Sequence, residues 1–233
     1  MDRTLILDGI KVSEYDLYYA SMPPIPTPEQ DIEYIKIRGR HGSLTKKYGY
    51  NDINYPIELY FYENTSFKKA FRLCKQFLLK TKTLSFTDDE EVYYKVKSLK
   101  IDTAENDVYK FGRFEIIFTL DPFQYEVDND PITITNQTTI MNEGYESEPI
   151  ITATMSGTGK IYINNQEITI QNINGTITID SEMQNAYRLQ AGSVMNLNKH
   201  MIGKFPVLEH GNNNVSFDGD ISQLKIICNR RWL

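Results

Sequence analysis

Apolar and polar residues alternate along much of this chain, and alternation at a period of two calls for a strand with one buried face. Tyr55, Ile57, Leu59 and Phe61 fall on one face of such a strand, while Asn54, Glu58, Tyr60 and Tyr62 fall on the other. Val92, Tyr94 and Val96 repeat the pattern, and so do Phe114, Ile116, Phe118 and Leu120. The composition agrees, because 16 tyrosines in 233 residues, with Ile, Thr and Val in short runs, suit half-buried sheet. The acidic run Thr87-Asp88-Asp89-Glu90-Glu91 reads as a solvated hairpin turn; it lacks the alternating ligands of a calcium loop.

One segment departs from this rhythm. Phe67, Ala70, Phe71, Cys74, Phe77 and Leu78 recur at intervals of three and four, which places them on one stripe of a helix. Asn64, Thr65 or Ser66 caps its start, and Lys75, Lys80 and Lys82 suit the carbonyl end of its dipole. The stripe reads as packing against a sheet rather than as a groove for a partner. The texture changes again between Asp121 and Pro149, where the strong strand closing on Phe123 gives way to polar sequence. A boundary near Asp128 to Pro131 divides the chain into domains of residues 1–130 and 131–233. Beyond it, Gly157-Thr158-Gly159 and Asn164-Asn165 read as turns and Asn174-Gly175 as the tip of a hairpin, so the second half is expected to be a β-sandwich.

With 25 Lys and Arg against 31 Asp and Glu, the formal net charge of −6 argues against a surface built to grip nucleic acid. No run is long and apolar enough for a membrane span, and the amino terminus shows no secretory signal, so folding in a cytoplasm is expected. In that reducing compartment Cys74 and Cys228 read as buried free thiols. No catalytic, cofactor-binding or metal-ligating set is expected. His41, His200 and His210 are far apart and lack zinc spacing, and no phosphate loop, nucleophile elbow or dinucleotide fingerprint accompanies them. Ser21-Met22-Pro23-Pro24-Ile25-Pro26-Thr27-Pro28 cannot enter a sheet interior and reads as an extended loop.

Three further stretches carry a resemblance. The first is Ile37-Arg38-Gly39-Arg40-His41-Gly42-Ser43-Leu44, ahead of an extended strand and the single helix. The second is Phe118-Thr119-Leu120-Asp121-Pro122-Phe123. The third runs from Asn142-x-Gly144 and Glu148-Pro149-Ile150-Ile151 through Phe205-Pro206-Val207-Leu208 and Gly211-Asn212-Asn213-Asn214 to Arg231-Trp232. In this order they resemble the distal tail proteins of siphophages.

The resemblance implies a mainly β fold: an amino-terminal tail-tube-like β-sandwich with one α-helix, and a carboxy-terminal galectin-like β-sandwich. It implies a structural virion protein and no enzyme, made in the host bacterial cytoplasm and placed at the phage tail tip. There a homo-hexamer would join the tail tube protein to the tail-associated protein, with DNA passing passively through its channel, without specific nucleic-acid binding, cofactor or membrane. On this view the stiff proline-rich loop holds out Met22 and Ile25 as assembly contacts; a plain solvated connector is its other reading. Two rival functions exist. The second sandwich would hold a host glycan, with Trp232 beside Arg230 and Arg231 as its platform rather than as an edge cap, or the chain would be the tube subunit itself.

Overall fold

The computed structural model describes residues 4–19, 21–62, 67–102, 105–108, 111–190 and 192–233. The chain forms two compact units, Met1–Val127 and Asp128–Trp232.

The first unit contains β1 (Leu5–Leu7), β2 (Ile10–Lys11), β3 (Leu17–Tyr19), β4 (Gln30–Lys36), β5 (Ser43–Tyr50), β6 (Ile53–Tyr62), helix α1 (Phe67–Leu78), β7 (Thr83–Phe86), β8 (Asp89–Ile101), β9 (Glu105–Val108) and β10 (Phe111–Glu126). Its main antiparallel sheet runs β2-β1-β7-β8-β10-β6-β3, with β9 also on β10. Strands β2 and β3 close the two ends of this order, yet only residues 12–16 separate them in sequence. So short a link forces the sheet to curl until its ends approach. Leu5 and Leu7 of β1, Val12 of the link and Leu17 of β3 accordingly share one core with Leu59, Phe61, Phe114, Ile116 and Phe118.

The alternation in β6 and β10 appears as expected: Tyr55, Ile57, Leu59 and Phe61 are buried, as are Phe114, Ile116, Phe118 and Leu120. Helix α1 lays its stripe on this sheet, with Cys74 and Leu78 buried and Ala70, Phe71 and Phe77 packed at the margin. Phe71 meets Phe114 edge to face at 4.9 Å, and Tyr15 stacks on Phe77 at 4.7 Å. The expected caps Asn64, Thr65 and Ser66, and the side chain of Phe67, lie outside the described residues. The turn between β7 and β8 is the tight hairpin the acidic run foretold, with Phe86 opposite Asp89.

The strand expected to end at Phe123 instead continues to Glu126. Pro122 is tolerated because pairing with β8 skips there, from Leu120 opposite Val96 to Gln124 opposite Tyr94, so its missing N–H breaks no ladder bond. Asp121 accepts the Tyr125 hydroxyl at 2.7 Å and lies 3.2 Å from Lys97 Nζ, anchoring the irregular stretch.

Cys74 is a buried free thiol that contacts the Phe71 carbonyl at 3.4 Å, and burial pushes it up from 9.0 to about 12. Burial, then the charge of Asp89, pushes the Tyr94 phenol from 10.0 to about 12. Both groups keep protons in the folded state that the unfolded chain releases earlier. Their stabilising contribution is therefore complete below about pH 9 and is lost as pH climbs toward 12. The urea midpoint is expected to fall across that window, and Cys74 to resist a thiol reagent near pH 8 until the protein is unfolded. Prompt labelling of the folded protein would contradict this.

The second unit contains β11 (Ile132–Ile134), β12 (Thr138–Asn142), β13 (Ile150–Ile163), β14 (Gln166–Asp180), β15 (Asn185–Gln190), β16 (Ser193–Asn196), β17 (Met201–Ile202), β18 (Gly211–Ile227) and β19 (Arg231–Trp232). Eight of these form one antiparallel sheet ordered β11-β18-β13-β14-β15-β16, with β12 on β18 and β17 on β14. A straight strand of 17 residues such as β18 would span about 55 Å, more than a domain of this size is wide. The strands bend instead.

Two expected turns lie inside strands, and the first of them is such a bend. Gly157-Thr158-Gly159 is an irregularity inside β13, and Asn174-Gly175 lies within β14 opposite Ser156 and Met155. Gly157, Asn172 and Gly219, on three adjacent strands, all take positive φ near the same level. The extra residue in β14 switches its buried set from Ile168 and Ile170 to Ile173, Ile177 and Ile179. Residues on both sides of the bend join one core, including Ile151 and Ala153 with Ile161 and Ile163, so the sheet folds on itself as a β-sandwich.

Candidate assembly surface

Strands β4 and β5 pair only with each other, from Gln30 opposite Tyr50 to Lys36 opposite Ser43, and form a two-stranded sheet apart from the main one. None of their residues enters either core. This arm exposes Tyr34, Ile35, Ile37, Leu44 and Tyr48, with Tyr34 at 65%. It is held together from within: the Tyr48 hydroxyl donates to Glu33 at 2.7 Å, and Lys46 Nζ lies 4.6 Å above the Tyr48 ring. At its base the Asn51 N–H donates to the Glu29 carbonyl at 2.8 Å.

Residues 37–42, the stretch that opens the family resemblance, form the tip of this arm. Gly39 and Gly42 take φ of +84° and +74° with nothing within 4 Å of an added Cβ, so the turn conformation alone requires glycine. Lys36, Arg38, Arg40, Lys46 and Lys47 outnumber Asp31 and Glu33 here, although the chain as a whole is acidic. Sequence reasoning missed the arm, although a signal existed: Ile32 and Tyr34 point to one face and Ile35 and Ile37 to the other, so neither face is the buried one.

The proline-rich loop is strapped to the main sheet, where the Tyr55 hydroxyl donates to the Pro24 carbonyl at 2.7 Å. Met22 is 53% exposed and Ile25 89%. Both border a cavity of about 350 Å³ that is also lined by Tyr19, Tyr55, Phe86, Tyr94, Asp88 and Asp89. Burial first, and then Tyr94 and Tyr19, raises the Tyr55 phenol above its ordinary value, so this ring of the cavity wall stays uncharged near pH 7.

In the second unit the asparagines of the resemblance are loop staples. Asn213, fully buried, donates to the carbonyls of Glu209 at 2.8 Å and Gly211 at 3.0 Å. Its Oδ1 accepts from the Glu209 N–H at 2.9 Å and from Asn164 Nδ2 at 3.0 Å. Asn142, also fully buried, donates to the carbonyls of Tyr145 and Leu208. Asn213→Ala is expected to cost about 3 kcal/mol, because it removes four hydrogen bonds made by a fully buried side chain and leaves part-buried backbone groups of Glu209 and Gly211 without that partner. A denaturant midpoint shift worth less than about 1 kcal/mol would show that water replaces the side chain.

Arg231 is 8% exposed, donates from Nε to the Glu146 carbonyl at 2.8 Å and pairs with Glu148 at 2.8 Å. Trp232 is half-buried, and an added Cβ on Gly144 would lie 3.3 Å from its Cε2. His200 and His210 each face a backbone carbonyl, those of Gln171 and Gly144, while His41 is exposed at the arm tip. Among the described residues no three His, Cys, Asp or Glu side chains are grouped to hold a metal, and no helix is long and apolar enough to cross a membrane.

No model of a known protein family matches the sequence, and no curated protein does. Solved structures do match the fold. The Dit protein of phage SPP1, described as a paradigm of the hub adsorption apparatus of phages infecting Gram-positive hosts, aligns over 100% of both chains with a TM-score of 0.68 at 13% identity. The activated baseplate of phage P2 with calcium contains a chain that aligns over 97% of both with a TM-score of 0.53 at 11% identity. The likeness is one of fold, and it extends through both units.

Proposed function

We propose that this chain is a structural subunit of a phage tail tip. Six copies close into a hub ring between the tail tube and a tail-associated protein, and DNA passes through the axial channel. The full-length likeness to the SPP1 hub protein carries this reading. The exposed arm supports it, because a hairpin that buries nothing in its own chain has surface available for a neighbour. Subunits joined head to tail need two different complementary surfaces, and such contacts close when the rotation per subunit divides a full turn. The net charge of −6 suits a conduit that DNA traverses without sticking.

In this ring Met22 and Ile25 touch the adjoining subunit or tail partner, and the Tyr55–Pro24 strap preserves the loop's shape before docking. Replacing residues 22–28 by a Gly/Ser linker of equal length is expected to leave circular dichroism unchanged and to weaken assembly about tenfold. Undiminished assembly would reduce the loop to a connector. Gold-labelled antibody on intact virions tests the location: a single cluster at the distal end of the tail is expected. Label spread along the tail would identify a tube subunit, and absence of label from virions would refute the proposal.

A further inference from the structure

Resting on the ring reading, we propose that the cationic tip of the β4–β5 arm of one copy seats in the aromatic and acidic cavity beside the β7–β8 turn of the next copy. Arg38 and Arg40 are exposed, and among the described residues neither forms an ion pair. The tip is narrow, because its turn is made by Gly39 and Gly42 with open space around both. The cavity has the opposite character. Its volume of about 350 Å³ suits one or two long side chains, its walls carry Tyr19, Tyr55, Phe86 and Tyr94, and Asp88 and Asp89 stand exposed beside it.

A guanidinium is the group such a cavity receives best: it stacks on neutral aromatic rings and pairs with a carboxylate in one pose. The apolar neighbours match as well. Ile37 and Leu44 flank the cations on the tip, and Met22 and Ile25 border the cavity, so docking covers exposed hydrophobic surface on both sides. A second copy of this chain is the occupant because the basic and acidic patches occur on the same molecule in a chain of net charge −6, the arrangement a head-to-tail contact requires. The same tip could instead meet DNA phosphates, and the experiment separates the two.

Arg38→Glu with Arg40→Glu, and separately Asp88→Lys with Asp89→Lys, are each expected to weaken self-association about tenfold, while all four changes together recover most of it. Self-association that is unchanged in both double variants, or no recovery in the fourfold variant, overturns the inference. So does loss of duplex DNA binding in the arginine variant with self-association intact. If a reversal variant fails to fold, Arg40→Cys with Asp88→Cys decides: a short bismaleimide, which bridges thiols too far apart for a direct disulfide, is expected to link copies covalently, since Cys74 and Cys228 are buried and do not compete. Absence of linked copies counts against the seating. Wild-type protein that never associates refutes the ring reading itself, whereas persistent rings in every variant refute only this contact.

Discussion

Excising residues 31–49 and closing Gln30 to Tyr50 with a short Gly/Ser turn is expected to abolish self-association and leave the fold intact. Gln30 and Tyr50 are already partners across the antiparallel pair, so about 5 Å has to be bridged. The excised strands give no side chain to either core, and an isolated two-stranded sheet is marginal by itself, so folding free energy changes little. What disappears is the exposed row of Tyr34, Ile35, Ile37, Leu44 and Tyr48 together with the cationic tip. Sedimentation would read the association and thermal denaturation the fold. An excised protein that assembles like the wild type would make the arm a decoration and move the interface to the sheet edges.

Phe118→Ala is expected to cost about 4 kcal/mol, a large fraction of the stability of an ordinary domain. Phe118 is completely buried in β10, opposite Tyr55 of β6 on one side and Leu99 of β8 on the other. Strands on both flanks hold the backbone in place, so the site cannot collapse around the missing ring and the cavity term adds to the lost transfer energy. Urea denaturation followed by tyrosine fluorescence would report the loss. A change below about 1 kcal/mol would mean that the curled sheet repacks, and that its core is less constrained than the shared burial of β1, β3, β6 and β10 implies.

What could be read from the sequence was what short-range periodicity records. The faces of β6 and β10 follow from alternation, and α1 follows from spacing at three and four, because each pattern needs only a window of neighbouring residues. Asn174-Gly175 shows the limit. A hairpin tip and a strand irregularity both draw on residues that accept positive φ, so local chemistry cannot separate them. The decision belongs to the flanking strands: β13 pairs with β14 in unbroken register through this point, the irregularity falls earlier at Asn172, and the strand runs on instead of reversing. The arm was missed for a related reason, since a strand that faces solvent on both sides carries no one-sided pattern, and apolar residues on both faces were its one signal. Asn142 and Asn213 read as ordinary loop residues, and only the fold brings them their distant partners, the Leu208 carbonyl for Asn142 and the Asn164 amide for Asn213, and buries both.

The mass of the purified protein in solution, measured by sedimentation or light scattering across a range of concentrations and again with its neighbouring tail proteins, tests the hub proposal most directly. A closed species about six times the 27.1 kDa chain mass, its size unchanged as concentration rises, is the predicted result. Protein that stays at 27.1 kDa alone and with those neighbours, or grows without limit into tubes, would contradict it.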